Sequence, residues 1–301
     1  MDVAITGSSG LIGSALREHL GASGHRVLRV VRSHGGSVGA TASDSITWDP
    51  AAGTIDAAGL EGVDAVVHLA GAGIGDKRWS PEQKRVIRES RTHGTTLMAT
   101  TLAGLTTPPK VFVSGSAIGW YGNSGSTPVD ESAPAAEDFL ASVVADWEAA
   151  AAPAADAGIR TALIRTGIVL SPEGGALKKQ LPIFKLGLGG RFGSGTQMQS
   201  WISLNDELGA IEFLLDHDVS GPVNLTAPHA VTNAAFTKAL GAALHRPTSI
   251  TPIFGPRLLL GRELADALLL TSTNAIPAAL TAAGYRFIHP TLDAALADLL
   301  G

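Results

Sequence analysis

Ile5-Thr6-Gly7-Ser8-Ser9-Gly10-Leu11-Ile12-Gly13 decides the fold. Three glycines at G-x-x-G-x-x-G spacing follow a short apolar, β-branched run at residues 3–6 and open a stretch with helical spacing at residues 11–20. In a strand-turn-helix context each glycine has a physical task. One permits the tight turn, one lets backbone amides approach a pyrophosphate, and one lets helix and strand pack closely. The positive end of the helix favours the phosphate charge. The same glycines in another context would read as an ordinary βα turn. Here Gly7, Ser8, Ser9, Gly10, Leu11, Ile12 and Gly13 are the candidate phosphate-binding loop.

Outward from that loop, strand-like runs at residues 26–31, 65–69, 110–114 and 161–165 alternate with helical stretches at 81–102 and 138–155. Gly24, Pro108-Pro109 and Gly158 mark the returns. Such alternation predicts an α/β fold: a Rossmann-type doubly wound parallel sheet. Residues 45–48 form a weaker strand after a polar, Gly-rich loop at 33–43. The dinucleotide-binding core is expected over 1–170, completed by part of 200–228. Residues 171–301 are expected to form a smaller substrate-side and C-terminal region, with a strand at 222–225, a helix near 233–244 and two helices in the tail from residue 246.

The second strand runs into Val30-Val31-Arg32-Ser33. NAD-preferring sites present an acid there to the adenosine ribose, whereas Arg32 offers a cation suited to a 2'-phosphate, which favours NADP(H). The plainer reading of Arg32 is a solvated surface arginine. Val66-Val67-His68-Leu69-Ala70-Gly71 ends the next strand in small residues that let the backbone approach the adenosine side. A single histidine such as His68 is more often hydrogen-bonded structure than an acid-base catalyst, and no third group completes a triad.

With 45% hydrophobic and 16% charged residues the chain has the composition of a folded protein. Its 22 basic and 27 acidic residues, net charge −5, give no footprint for nucleic acid or anionic lipid. Zero cysteines remove disulfides and thiolate metal sites, and no metal is expected. No apolar run approaches the ~20 residues of a membrane span, so the expected location is cytoplasmic and the expected partner is a small molecule.

The residues resemble the extended short-chain dehydrogenase/reductase superfamily, in its atypical nucleotide-sugar epimerase-like group. The resemblance rests on Leu69-Ala70-Gly71, Asp76-Lys77-Arg78-Trp79, Ser90-Arg91, Ser114-Gly115-Ser116-Ala117, Trp147-Glu148 and Arg165-Thr166-Gly167-Ile168-Val169-Leu170. It extends through Leu186-Gly187-Leu188-Gly189-Gly190, Gly193-Ser194-Gly195 and Trp201-Ile202 to a tail like that group's C-terminal domain of unassigned function. The resemblance implies NADP(H) at the C-terminal strand ends, with Arg32 on the 2'-phosphate, residues 69–71 on the adenosine side, Arg91 lining the groove, and Ser114 and Ser116 by the nicotinamide.

One departure stands out. Active members of the superfamily use a Tyr-x-x-x-Lys pair, and aligning Trp147-Glu148 with the end of that helix puts Leu140 and Val144 in those places. Neither can donate a proton. Ser116 and Tyr121 are the catalytic candidates left, each with a structural alternative: satisfying backbone groups, or covering the cofactor. Lys77, Arg78 and Arg165, with the Gly-rich segment 189–195, suit an anionic or sugar-derived substrate, although such arginines are commonly ion-paired and such loops commonly only turn the chain. The expected function is an NADP(H)-dependent oxidoreductase or epimerase-like enzyme acting on a hydroxyl/carbonyl pair. The alternative, which the missing tyrosine and lysine suggest, is a non-catalytic NADP(H)-binding regulatory protein; the resemblance adds that some relatives are associated with cell or plastid division.

Overall fold

Val3, Ala4, Ile5 and Thr6 are all fully buried, as are Ala65, Val66, Val67 and His68. Strands covered on both faces in this way belong at the centre of a parallel sheet flanked by helices. The computed structural model describes residues 1–33 and 44–301 and shows that sheet. Strand β1 (Asp2–Thr6) leads into α1 (Leu11–Ala22), β2 (Arg26–Arg32), β3 (Ser45–Asp49) and β4 (Thr54–Ile55). Then come β5 (Ala65–His68), α2 (Pro81–Ala103), β6 (Val111–Ala117), α3 (Phe139–Ala149), α4 (Ala152–Asp156) and β7 (Arg160–Thr166).

Beyond β7 lie β8 (Ile168–Leu170), α5 (Gly175–Lys185), β9 (Gly190–Phe192), β10 (Met198–Gln199), β11 (Trp201–Ser203) and α6 (Leu204–Asp216). They are followed by β12 (Gly221–Leu225), β13 (Val231–Thr232), α7 (Asn233–Ala243), β14 (Ser249–Thr251), α8 (Phe254–Leu260), α9 (Arg262–Leu269), α10 (Ala278–Ala282) and α11 (Leu292–Leu300). The main sheet has the order β12-β7-β6-β5-β1-β2-β3-β4, and only β4 runs antiparallel to its neighbour. Successive strands are added to one side of β1 through β4 and to its other side from β5 on, so the order of connection reverses between the parallel neighbours β1 and β5. That switch point is where doubly wound sheets open a crevice at their C-terminal edge, so the fold itself locates the site.

Helices α1 and α6 cover one face, where Leu16, Leu20, Ile211 and Leu214 pack on Val3, Ile5, Val111, Val113 and Ile164. Helices α2 and α4 cover the other through Met98, Leu102 and Ala154 on Ala4, Val66 and Phe112. A third core holds Leu177, Phe184, Trp201, Phe236 and Leu296, and so ties α5, α7 and α11 together. Helix α2 starts where expected because Ser80 caps it, accepting a hydrogen bond from Gln83 N, and Pro81 occupies the first turn, where no amide donor is needed.

Three expectations change. The helix read over 138–155 divides into α3 and α4, with Pro153 in the first turn of the second. The tail holds four helices rather than two, α8 and α9 being separated by Gly261 at φ +84. Strand β6 runs three residues further than read, so that Ser116 lies within it. The loop read over 33–43 falls, from residue 34 on, outside the described residues.

Candidate functional site

The chain leaves β1 through Gly7 at φ +66, and Gly10 N–H closes the turn on Gly7 O at 2.9 Å. A Cβ on Gly7 would sit 2.9 Å from the Leu69 carbonyl, and one on Gly13 would overlap the Gly7 carbonyl. Both positions therefore exclude side chains through the protein's own packing. Gly10 differs: within 4 Å of its ideal Cβ lies only Gly7 O, at 3.4 Å, and the residue is exposed. Its bare backbone forms an open cradle that a side chain would fill, at the start of a helix with no side-chain cap and no acid in its first turn. This donor set fits a phosphate group. Ser9 is exposed beside it, Ser8 is buried, and Leu11 and Ile12 turn their side chains onto the core.

Thr6 Oγ1 holds the next wall, accepting hydrogen bonds from Leu69 N (3.0 Å) and Ala70 N (3.2 Å). Arg91 of α2 donates to Ala72 O and Ile87 O, both at 3.0 Å, and its guanidinium lies 5.0 Å from the Trp147 ring centre. Burial pulls its pKa down to about 10, so it remains a cation at neutral pH behind Gly71. Arg32, the last residue of β2, is exposed and makes no ion pair among the described residues.

At the other side of the crevice, parallel pairing sets Ser116 beside Arg165 and Arg165 beside Asn224, each the penultimate residue of its strand. Glu148 reaches this row from α3. Its carboxylate accepts Arg165 Nε at 2.8 Å and the second guanidinium nitrogen at 2.9 Å, a bidentate pair only 2% and 8% exposed. Ser116 Oγ donates to the same Glu148 Oε1 at 2.6 Å. Tyr121 OH donates to Asn224 Oδ1 at 2.7 Å and accepts from Arg165 at 3.0 Å. Glu131 completes the network through Asn224 N and Ala279 N. Burial opposes the Arg165 charge, but the bonds to Glu148 outweigh it and raise the pKa. Burial also raises that of Tyr121. Ser114, one turn of the pleat below Ser116, is fully buried with no partner for Oγ among the described residues.

Leu140 and Val144 flank the turn after β6, each 3.6 Å from the ideal Cβ of Gly119. The two positions of α3 where a tyrosine and a lysine are expected thus bring only carbon to this turn, and the polar group that α3 brings to the row is Glu148. Arg78 is not free for an anion: it donates to the carbonyls of Leu258 and Leu259 at the end of α8. Arg165 is likewise committed to Glu148. Gly189, Gly190 and Gly195 lack side chains because Phe184, Ser249 and Ala234 occupy the space, so these three glycines shape the chain rather than open a ligand cradle. Lys77 is exposed and unpaired among the described residues.

Sequence reasoning did not find Asn224, Glu131 or the function of Thr6, and it met Glu148 only within a motif. With the strand bounds read from the sequence only Asn224 stands second from a strand end, so the row of three gave no signal. It also missed Glu207 on α6, which is fully buried, accepts from Thr166 Oγ1 at 2.9 Å, and has no partner for Oε2 among the described residues. Burial pushes its pKa up to about 8.

Residues 3–235 match the NAD dependent epimerase/dehydratase family, and residues 251–299 match a domain of unknown function, DUF1731. Epimerase family protein Mb2239 of Mycobacterium bovis is 46% identical over 98% of this chain and 96% of its own length. The crystal structure of human epimerase family protein SDR39U1 with NADPH is 36% identical with a TM-score of 0.90, covering 100% of this chain and 99% of that one. A nucleoside-diphosphate sugar epimerase from Corynebacterium glutamicum is 38% identical with a TM-score of 0.79, over 100% of this chain and 58% of that one.

Proposed function

Because the chain belongs to the NAD dependent epimerase/dehydratase family, we propose that it is an NADP(H)-dependent oxidoreductase or epimerase-like enzyme acting on a hydroxyl/carbonyl pair of a small, sugar-derived substrate. The open cradle at Gly10 carries the cofactor half of this reading. Backbone amides of residues 11–13 would hold the pyrophosphate over the bare Gly10, residues 69–71 the adenosine side, and Arg32 the 2'-phosphate, with Arg91 supporting the groove and Ser114 near the nicotinamide. The human relative solved with NADPH supports the choice of cofactor. The bound nicotinamide supplies a hydride donor or acceptor.

The proton is the chain's own affair. Ser116 has one hydrogen, which it gives to Glu148, so towards the crevice it offers lone pairs. It is arranged to accept a hydrogen bond from a substrate hydroxyl and to pass that proton along the 2.6 Å contact to Glu148, whose carboxylate Arg165 orients through two hydrogen bonds. Tyr121 is less suited, since its hydrogen goes to Asn224 and burial keeps the phenol protonated. Assaying NADP+ with secondary alcohols, and NADPH with carbonyl compounds and nucleotide sugars, by the near-ultraviolet absorbance of the reduced nicotinamide tests the proposal. Substrate-dependent change supports it. Thermal stabilisation by NADPH with no turnover across the panel supports a second reading, a non-catalytic NADP(H)-binding protein, which the apolar pair Leu140 and Val144 favours.

A further inference from the structure

One hydroxyl fastens the ends of β1 and β5. Thr6 and His68 are register partners and both are fully buried. Thr6 Oγ1 accepts from Leu69 N at 3.0 Å and Ala70 N at 3.2 Å, which uses both of its lone pairs. Its own hydrogen then has one destination, His68 Nδ1 at 2.9 Å. The imidazole must present Nδ1 bare and carry its proton on Nε2. Burial agrees, lowering its pKa to about 4 and leaving the ring neutral at neutral pH. The ring meets Trp48 edge-on at 5.7 Å, and a Cβ on Gly94 of α2 would lie 3.7 Å from its Cε1. Its position is therefore set by packing.

The Leu69 carbonyl that this arrangement fixes is the group 2.9 Å from the ideal Cβ of Gly7. The two adjoining loops, residues 7–10 and 69–71, are thus held against each other through Thr6 and His68. We propose that Thr6 and His68 are a positioning pair that presets both loops for the adenosine half of the dinucleotide. This inference rests on the NADP(H) reading above. The pair touches no ligand; its contribution is preorganisation, because without it binding must first order residues 69–71.

The test titrates NADPH and adenosine 2',5'-bisphosphate into the full chain, alongside thermal midpoints. Thr6→Val keeps the shape and removes the hydroxyl; His68→Phe keeps a ring and removes the acceptor. Both are expected to weaken both ligands by about tenfold or more, as for buried donors left unpaired. Thr6→Ser restores the hydroxyl, and His68→Asn places a side-chain acceptor near the Nδ1 position; both are expected to stay within about threefold of the native chain. Lowered thermal midpoints with native ligand affinity would assign the pair a structural role only and overturn the proposal. Native binding with unchanged Thr6→Val and His68→Phe affinities removes this inference alone, whereas failure of the native chain to bind NADPH removes the cofactor reading and this inference with it. Should Thr6→Val not fold, hydrogen exchange in the unliganded native chain decides. The Leu69 and Ala70 amides are expected to be protected, and rapid exchange at both would overturn the proposal.

Discussion

Replacing Glu207 by glutamine is expected to make the protein more stable at pH 8 and to flatten the dependence of stability on pH. The carboxyl group is fully buried, has one hydrogen-bond donor in Thr166, and titrates at about 8 against an ordinary value of 4.5. The sign follows from proton counting. Below pH 4.5 the acid is protonated in both folded and unfolded chains and costs nothing. Between 4.5 and about 8 the unfolded chain loses the proton while the folded chain keeps it, so stability falls by about 1.4 kcal/mol for each pH unit. Above 8 both forms are ionised and the loss levels off at roughly 4–5 kcal/mol, a large share of the 5–15 kcal/mol typical of a whole domain. Glutamine has the same shape, can accept from Thr166, and cannot ionise. Its amide leaves two N–H donors where the protonated acid leaves one O–H, an offset that does not change with pH, so the slope against pH isolates the carboxyl. Urea unfolding of both proteins at pH 5, 6.5 and 8 measures the effect. Parallel curves, with Glu207→Gln no more stable at pH 8 than at pH 5 relative to the native chain, would refute the reasoning.

Arg32→Ala is expected to narrow the preference for NADPH over NADPH's dephosphorylated counterpart NADH by about tenfold, since charge-assisted bonds to a phosphate contribute about 1.5–3 kcal/mol; calorimetric titration of both cofactors checks it. Gly10→Val is expected to abolish dinucleotide binding while leaving the thermal midpoint nearly unchanged, because among the described residues, its own chain neighbours aside, the new Cβ meets only Gly7 O, at 3.4 Å. Glu148→Ala is expected to destabilise the fold by about 3–5 kcal/mol by stranding the buried Arg165 cation, and pairing it with Arg165→Met is expected to recover part of that loss in chemical unfolding.

What was legible in the sequence was local. The spacing Gly7-Gly10-Gly13 marked the turn, the strand before it and the helix after it, and the alternation beyond it gave a doubly wound sheet that the structure shows. The polar row of Ser116, Arg165 and Asn224 was not legible, because these residues meet only through the register of strands separated by long connections. Arg78 and Arg165 read as cations available to a substrate. Only tertiary packing shows that the first caps α8 and the second is held by Glu148. The break between α3 and α4 coincides with Pro153, but the alanines on either side favour helix and mask it in the sequence. His68 was read as hydrogen-bonded structure, but its partner at Thr6 requires knowing that β1 and β5 are neighbours.

In the function proposed above, hydride passes between substrate and nicotinamide while Ser116 relays the hydroxyl proton to Glu148. Single-turnover rates with NADP+ and a secondary alcohol from the substrate panel test it most directly, in the native chain, Ser116→Ala and Tyr121→Phe, with NADPH affinity measured in each. The expected result is a hydride step slowed by about 100-fold or more in Ser116→Ala, a smaller loss in Tyr121→Phe, and cofactor affinity near the native value in both. An unchanged rate in Ser116→Ala, or a native chain that binds NADPH and transfers no hydride with any member of the panel, would contradict it.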